Sequence, residues 1–334
     1  MDAETEKEEG QVLVSICCLT YNHETYIRDA LDGFLMQKVT FPYEILIYDD
    51  ASTDGTADII REYQARYPDI IKPLLQTENQ YSRGILNPSG AFNFPRVRGK
   101  YTAMCEGDDY WIDEHKLQMQ VDYLESHPGC SLCFHSARIR TVDGSRTDRR
   151  MRPYRNDGII TPQGIIDKSC GYPTASMVFR SEMIRNLPDY YKNCPVGDTP
   201  LQLMAAARGY GYYVDRDMSV YRVGAASSWT KEGRRGDYEA RQQKYCKEMR
   251  RTYLDFDRAE KGRFKEAVKS AARRTWFLTK VNTRHYEVVL SPRYRRYYKE
   301  LTKRTRFYIR LEAGLPGVYR LLAKAAGTVR RQSV

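Results

Sequence analysis

Residues 101–109, YTAMCEGDD, pass without a break from an apolar β-strand pattern into a cluster of carboxylates. Residues 101–105 predict a buried strand, and Glu106, Asp108 and Asp109 follow it directly. Carboxylates this close repel one another strongly unless a cation is present. Mg²⁺ and Mn²⁺ prefer oxygen ligands and often bridge to phosphates. Taken alone, the pattern fits a divalent metal site and a solvated acidic turn equally well.

Two further strand patterns also end in polar clusters. Residues 12–18 (VLVSICC) and 43–48 (YEILIY) are apolar and β-branched, and polar residues 20–24 and 49–54 follow them. Helical patterns lie between these strands, which indicates an α/β fold with a mostly parallel sheet flanked by helices. Because ligands bind beyond the carboxyl ends of such strands, we expect the three clusters to surround one ligand site.

The second cluster is DDASTDGT, residues 49–56. Adjacent carboxylates are costly to pack together without a hydrogen-bond donor or a counter-charge. Asp50 could accept a hydrogen bond from a nucleobase N–H or a ribose hydroxyl. A structural interpretation is equally open, in which Ser52 and Asp54 cap the following helix.

Several segments farther along the chain have simpler interpretations. Residues 76–90 are polar and predict a long loop, which in a compact α/β domain is often functional. Residues 91–97 predict a helix, residues 140–158 an exposed loop or hairpin, and the surroundings of Tyr212 and Val220 two short strands. A basic helical region begins near residue 238.

Cysteine and histidine patterns do not predict a zinc site. Cys130 and Cys133 have zinc-like spacing, but no second pair follows and both lie in an apolar strand, which favours buried thiols. The chain has eight cysteines in 334 residues, which favours reduced thiols in a cytoplasmic protein. His23 could touch the substrate, but an exposed turn histidine is the commoner case and is the prediction here.

Composition excludes several protein classes. Hydrophobic residues make up 41% and charged residues 29% of the chain, which is typical of a globular protein and not of a disordered one. No apolar run approaches the roughly 20 residues that a membrane-spanning helix needs. Residues 1–10 are acidic and predicted to be flexible, and they lack the basic and apolar regions of a secretory signal.

The net charge of +11 is distributed unevenly. Residues 231–334 contain 29 Lys and Arg against 11 Asp and Glu, a net charge of +18, whereas residues 1–230 have a net charge of −7. A mildly acidic body therefore continues into a strongly basic region. That asymmetry predicts an anionic partner for the C-terminal region.

Three motifs together resemble the inverting family 2 glycosyltransferases with a GT-A fold. They are VSI…TYN over residues 14–22, DDxSxDGT over 49–56 and EGDD over 106–109, each at a predicted strand end. The segment EGDDYW…KLQxQ, from residue 106 to 120, resembles the corresponding segment of the bacterial branch that builds surface polysaccharides. The resemblance covers roughly residues 11–225.

The resemblance implies a domain organisation. A GT-A glycosyltransferase domain would span residues 11–230, with a nucleotide-donor half over 11–112 and an acceptor half over 113–230. Residues 231–334 would form a basic helical extension.

The resemblance also implies roles for individual residues. Tyr21 would stack on the base, Asp50 would accept from a base N–H, and Arg83 is the candidate partner of a phosphate. Asp108 and Asp109 match the DXD-type motif, which binds ribose and the Mn²⁺ or Mg²⁺ at the diphosphate. Glu106, where many members have aspartate, completes the candidate metal ligands. The predicted donor-binding residues are Thr20, Tyr21, Asn22, Glu24, Asp50, Arg83 and Asp108.

Asp198 is the candidate catalytic base. It stands in VGDTPL, residues 196–201, where the family has an acidic residue at the start of a helix. The alternative is a plain N-cap, because Asp before Thr-Pro is a good cap. The segment YRVG, residues 221–224, resembles a Tyr-Arg-x-His segment of related enzymes, but Gly224 replaces the histidine and we assign it no role.

The implied activity is transfer of a hexosyl or N-acetylhexosaminyl group, with inversion, from a UDP-linked donor to an acceptor hydroxyl. A lipid-linked saccharide in cell-surface polysaccharide synthesis is the expected acceptor. One alternative is a sugar-nucleotide nucleotidyltransferase, although residues 19–23 are not the glycine-rich basic loop that it would need. The other is a non-catalytic GT-A scaffold that binds nucleotide sugars.

The C-terminal region predicts a membrane partner. Basic residues crowd together with tyrosines and Phe307 over residues 293–310, and Leu315, Leu321 and Leu322 follow. Basic amphipathic helices with aromatic residues can lie on anionic bilayers. We therefore expect a cytoplasmic protein, peripheral on the inner face of the plasma membrane, with no nucleic-acid partner. The alternative is a charged face that packs on the body.

Overall fold

The computed structural model describes residues 11–142, 149–169, 171–225 and 237–325. The predicted flexible segment 1–10 lies outside these residues. The chain divides into two units, Met1–Glu232 and Gly233–Val334. Among the described residues, no helix is both long enough and apolar enough to cross a bilayer.

The first unit is an α/β structure. Its described strands are β1 (Val14–Thr20), β2 (Tyr43–Asp49), β3 (Ile71–Leu75), β4 (Tyr101–Met104), β5 (Tyr110–Trp111), β6 (Cys130–Thr141), β7 (Arg149–Met151), β8 (Gly158–Ile160), β9 (Val178–Arg180) and β10 (Tyr210–Val223). Its described helices are α1 (Ile27–Leu35), α2 (Thr56–Arg66), α3 (Lys116–Ser126), α4 (Pro162–Asp167), α5 (Asp189–Lys192) and α6 (Asp198–Arg208).

The described strands form one mixed sheet in the order β3-β2-β1-β4-β9-β6-β10-β5, with β7 on β6 and β8 on β10. The long ladders, β1 with β2, β2 with β3, β1 with β4 and β6 with β10, are parallel. The antiparallel pairings are short, and they include β4 with β9 and β10 with β5. The carboxyl ends of β1, β2 and β4 therefore meet at one edge.

The core of this unit lies on both faces of the parallel strands. Val14, Ile16 and Cys18 of β1 are fully buried in one apolar cluster with Leu31 and Phe34 of α1. Ser15 and Cys17, on the other face of β1, are buried as well, and burial on both faces explains why the sequence of β1 is mostly apolar instead of alternating.

The second unit is helical. Its described helices are α7 (Tyr238–Ala259), α8 (Lys265–Asn282), α9 (Tyr286–Val289), α10 (Arg295–Glu300), α11 (Lys303–Gly314) and α12 (Pro316–Ala325). Tyr294, Tyr297 and Tyr298 are buried in a cluster with Phe277 and Ile309. These tyrosines are core residues of the helical unit.

Some local predictions need correction. Residues 91–97 do not form a regular α-helix, because Ser89–Asn93 is a π-helical turn and Phe94–Arg96 a 3₁₀ turn. The two short strands predicted near Tyr212 and Val220 are one strand, β10, whose parallel register with β6 shifts at irregularities. The structure pairs β7 with β6, as a hairpin would, while residues 143–148 lie outside the described part.

Candidate active site

Three polar turns meet at the carboxyl edge of β1, β2 and β4. Thr20 at the end of β1 pairs with Asp49 at the end of β2, and Cys17 of β1 pairs with Met104 at the end of β4. The backbone N–H of Gly107 donates to Leu19 O at 2.9 Å, so the acidic turn runs along the end of β1. The parallel register therefore brings together the three clusters that the sequence places far apart.

The turn after β1 is bonded directly to the turn after β2. Asn22 Oδ1 accepts from the backbone N–H of Thr53 at 2.8 Å, and Glu24 Oε2 accepts from that of Gly55 at 3.0 Å. Ser52 Oγ accepts from the backbone N–H of Asn22 at 2.9 Å. The side chains of Asn22 and Glu24 therefore hold the two turns together.

Asp50 has a structural role that its motif did not reveal. Its carboxylate accepts from the backbone N–H groups of Gln80 and Tyr81 at 2.8 and 3.0 Å, and from the Tyr48 hydroxyl at 2.8 Å. Asp50 thereby anchors the long loop over residues 76–90 to the end of β2. Asp49 accepts instead from Ser52 N at 3.0 Å, and burial raises the pKa of Asp49.

The predicted capping of α2 by Ser52 and Asp54 takes a different form. Gly55 is the N-cap residue of α2, and no side-chain hydrogen bond caps the helix from that position. Asp54 Oδ1 nevertheless accepts from the backbone N–H of Thr56, the first helical residue, at 3.0 Å.

Two predicted donor-site residues lie near the surface. Arg83 forms an ion pair with Glu78 within the long loop, and both side chains are more than 60% exposed. Its guanidinium therefore already has a carboxylate partner. Tyr21, in the turn after β1, is half-buried.

The acidic turn after β4 contains carboxylates whose pKa values are raised. Asp109 is 1% exposed, and its Oδ1 accepts from the backbone N–H of Arg222 at 2.8 Å. Burial and the neighbouring charge of Asp108 raise the pKa of Asp109 well above its usual range. Burial, with the charges of Asp108 and Asp198, raises the pKa of Glu106 to about 8. The nearby charge of Arg222 offsets this effect only in part at Asp109.

The acidic turn could hold a divalent cation, although protein side chains would supply only some of its ligands. Asp109 Oδ2 is buried and has no hydrogen-bond partner among the described residues. No group of three or more His, Cys, Asp or Glu within the described ranges is arranged to hold a metal ion. Mg²⁺ commonly uses one or two carboxylates together with substrate phosphates and water. Asp108 and Asp109 suit that mode.

Asp198 lies in the same cleft as Glu106. A cavity of about 90 Å³ is lined by these two carboxylates and by Asn87, Met104 and Tyr191, among others. Asp198 is the first residue of α6, and Gly197 takes the N-cap position. The Asp198 carboxylate accepts from the Thr199 N–H at 2.7 Å, and burial raises its pKa. A carboxylate poised in a cleft can accept a proton from a bound hydroxyl.

Asn87 is a residue of the cleft that the sequence motifs did not reveal. Its Nδ2 donates to the backbone carbonyls of Tyr191 and Cys194 at 2.8 and 3.1 Å. It thus connects the long loop to the segment that precedes Asp198. The only signal in the sequence was its position within a long polar loop.

The predicted exposure of His23 is wrong. The side chain is only 7% exposed, and its Nδ1 has no hydrogen-bond partner among the described residues. A Cβ atom at Gly107 would lie 2.9 Å from that nitrogen, so the imidazole packs against the acidic turn. Burial lowers the pKa of His23 and favours the neutral ring. The buried hydroxyl of Thr20 also lacks a described partner.

The segment after β10 explains the glycine at position 224. Gly224 has a φ of +96°, a conformation that side-chain-bearing residues rarely adopt. A histidine at that position would be strained. The backbone therefore matches the residue present and not the one in the related Tyr-Arg-x-His segment.

Comparison with known sequences places the chain among sugar transferases. The model for "Glycosyl transferase family 2" matches residues 15–187. The uncharacterized protein Rv1520 of Mycobacterium tuberculosis is 38% identical over 222 residues, which cover 65% of this chain and 60% of Rv1520. The chain thus spans about 60% of the length of that relative.

A second relative has a named reaction. The UDP-Glc:alpha-D-GlcNAc-diphosphoundecaprenol beta-1,3-glucosyltransferase WfaP of Escherichia coli is 34% identical over 116 residues. The match covers 34% of this chain and 42% of WfaP.

Two solved structures share the fold. TarS 1–349 of S. aureus, in complex with UDP-GlcNAc, has a TM-score of 0.58 at 16% identity, covering 96% of this chain and 93% of that one. The mannosyltransferase PcManGT of Pyrobaculum calidifontis, in complex with GDP-Man and Mn²⁺, has a TM-score of 0.51 at 15% identity, covering 92% and 88%. The predicted GT-A-type α/β fold with a helical C-terminal extension is confirmed. Because the family model spans more than half of the chain, this protein belongs to glycosyl transferase family 2.

Proposed function

We propose that the first unit transfers a sugar, with inversion, from a nucleotide-sugar donor to an acceptor hydroxyl. The observation that carries this proposal is the cleft that Asp198 shares with Glu106, beside the Asp108–Asp109 turn. A candidate base thus lies next to carboxylates suited to a metal-bound diphosphate. The family match supports sugar transfer as the reaction class.

The proposed donor is a UDP-linked hexose or N-acetylhexosamine. Two observations on other proteins support it, namely the UDP-GlcNAc complex of TarS and the UDP-Glc donor in the name of WfaP. Tyr21 would stack on the base, and Thr20 and Asp108 would contact the donor. A carboxylate can accept about four hydrogen bonds. Asp50 uses three with described donors, so it could also accept from a base N–H.

The remaining predicted donor residues would act less directly. Asn22 and Glu24 would shape the donor site by holding the two turns together, since their side chains bond to backbone N–H groups. Arg83 would reach a phosphate only after leaving Glu78.

Asp108 and Asp109, with Glu106 nearby, would hold Mn²⁺ or Mg²⁺. The bound ion would neutralise negative charge on the diphosphate leaving group. The Mn²⁺ in the PcManGT complex supports a divalent ion in this fold. The unpartnered Oδ2 of Asp109 supports the same role from within this chain.

Asp198 would act as general base. Its carboxylate would take the proton of the acceptor hydroxyl as that oxygen bonds to the anomeric carbon. The bond from this carbon to the diphosphate oxygen breaks, and the nucleoside diphosphate leaves with the electron pair. Attack from the face opposite the leaving diphosphate would invert the anomeric configuration.

A product assay separates the three candidate functions. The protein is incubated with UDP-glucose or UDP-GlcNAc, with Mn²⁺ or with EDTA, and with a saccharide acceptor. A glycosyltransferase releases UDP and forms a glycoside. In a parallel incubation with UTP and a sugar phosphate, a nucleotidyltransferase instead releases pyrophosphate and forms the UDP-sugar. A binding scaffold releases neither product, and that result would contradict the proposal.

The proposed acceptor is a lipid-linked saccharide, and the second unit would bind the cytoplasmic face of the plasma membrane. The diphosphoundecaprenol acceptor of WfaP supports the first part. Exposed apolar side chains on α11, α12 and the residue between them support membrane binding, with exposures of 43% to 71%. They are Phe307, Leu315, Val318, Leu321 and Leu322. Exposed Lys303, Arg304 and Arg310 on α11 add the positive charge that anionic lipids attract.

A further inference from the structure

Arg222 connects three elements around the acidic turn. It lies in β10, which pairs with β5 directly after that turn, and its side chain is 8% exposed. Its Nη1 donates to the backbone carbonyl of Asp108 at 2.8 Å, and its Nη2 forms an ion pair with Asp29 of α1. A cation that is buried in this way is held by its contacts and not by water.

Aromatic rings complete the surroundings of Arg222. The guanidinium carbon lies 4.3 Å from the ring centroid of Tyr110 and 5.1 Å from that of Tyr26. Tyr110 follows Asp109 in the chain, and Tyr26 immediately precedes α1. The planar guanidinium is therefore in contact with both the acidic turn and the start of α1.

The backbone of Arg222 makes a second connection to the same turn. Its N–H donates to Asp109 Oδ1 at 2.8 Å and leaves Oδ2 as the oxygen without a described partner. One residue thus fixes the carbonyl of Asp108 through its side chain and the carboxylate of Asp109 through its main chain. Its charge also lowers the pKa of Asp109, against the larger effect of burial.

We propose that Arg222 is a positioning residue for the Asp108–Asp109 turn and acts without touching the donor. This inference rests on the proposed donor site at that turn. Both terminal nitrogens of Arg222 already have protein partners, on Asp108 and Asp29. Lysine at this position would keep the charge but could not contact both partners with a planar fork. The turn would then lose its fixed orientation.

Arg180 offers a matched control in the same unit. Its guanidinium also donates to backbone carbonyls, of Cys130 at 2.9 Å and Leu124 at 2.6 Å. It also lies 5.5 Å from the ring centroid of Tyr101. It belongs to β9 and makes none of its described hydrogen bonds to residues 106–109. Arg180→Lys should therefore lower stability without changing the acidic turn.

The first test is hydrogen exchange of the unliganded protein, which does not depend on any activity. In Arg222→Lys, and less strongly in Asp29→Asn, amides of residues 106–111 should exchange at least fivefold faster than in the wild type. Arg180→Lys should leave their exchange within twofold. Equal exchange at these amides in the wild type and Arg222→Lys, or equal acceleration in Arg180→Lys, would overturn the inference.

The second test is calorimetric binding of UDP with and without Mn²⁺. Arg222→Lys should weaken Mn²⁺-dependent binding at least tenfold and change metal-free binding less than twofold. Equal loss in both conditions would mean that Arg222 contacts the nucleotide, and it would overturn the positioning role. If the wild type binds no UDP, the proposed donor fails, whereas the exchange experiment still decides the role of Arg222.

Discussion

Asp198 and Glu106 line one cleft, and the negative charge of Asp198 contributes to raising the pKa of Glu106 to about 8, after burial and Asp108. The two residues are 92 positions apart in the sequence. Their proximity joins the acidic turn of β4 to the start of α6. A bound cation would relieve the repulsion between these carboxylates. An acceptor hydroxyl in the cleft would lie near Asp198, the candidate base.

The first prediction concerns the pH dependence of transfer. Burial raises the pKa of Asp198, so its basic form is lost on acidification at a higher pH than the ordinary value of about 3.9. The rate kcat should therefore fall as pH decreases through that raised pKa. Asp198→Asn should lower kcat by about 10²–10⁴ and remove this acid limb, while the Kd for UDP stays within about twofold. An unchanged kcat in Asp198→Asn would contradict the assignment of the base.

The second prediction concerns the metal. Asp109→Ala removes the buried carboxylate whose Oδ2 has no described protein partner. Transfer and Mn²⁺-dependent UDP binding should both be lost, since the ion loses a ligand. Calorimetry with and without EDTA measures the binding, and circular dichroism checks that the variant folds. Full activity of the wild type in EDTA would show that no divalent ion is needed.

The third prediction concerns the stability of the first unit. Lys116 is fully buried, its Nζ lies 4.0 Å from the Trp111 ring centroid, and burial lowers its pKa to about 7. The unfolded chain holds that proton up to about pH 10.4. Between these values the unfolded state binds more protons, so the free energy of unfolding gains a contribution that rises with pH.

Lys116→Met removes this contribution. Between pH 7 and pH 9 the wild type should gain about 2 kcal/mol in unfolding free energy relative to Lys116→Met. Urea unfolding at the two pH values, followed by circular dichroism, measures the difference. A stability gap between the two proteins that does not change with pH would contradict the burial of a titrating ammonium.

The fourth prediction concerns the second unit. The full chain should float with vesicles that contain anionic lipid, and recovery should fall as salt rises because charge is screened. Leu321→Glu with Leu322→Glu should reduce recovery, since these side chains are 71% and 51% exposed and apolar. Leu254→Glu is the matched control, because Leu254 is 43% exposed on α7. Equal recovery with anionic and neutral vesicles, or none with either, would contradict membrane docking.

Strand patterns in the sequence were sufficient to place the acidic clusters. Residues 101–105 and 43–48 are apolar because their strands are buried, and parallel pairing then places residues 106–109 and 49–54 at one edge. The contacts of Asp50 were not predictable, because it bonds to backbone N–H groups, which nearly every residue has. The side chains at positions 80 and 81 therefore do not indicate that their backbone N–H groups bond to Asp50.

The long-range positioning contacts were also invisible in the sequence. Arg222 is 114 positions from Asp108, and Asn87 is 104 positions from Tyr191. Each bonds to a main-chain carbonyl, which no motif records. His23 was placed wrongly because a polar turn suggests exposure, whereas Gly107 leaves room for the imidazole to pack.

The anomeric configuration of the product tests the central claim most directly. The protein is supplied with an α-linked UDP-sugar, Mn²⁺ and an accepted saccharide, and the new glycoside is examined by ¹H NMR before any anomerisation. Attack assisted by Asp198 from the face opposite the diphosphate predicts a β-linked product. An α-linked product would contradict both the inverting mechanism and the role of Asp198 as its base.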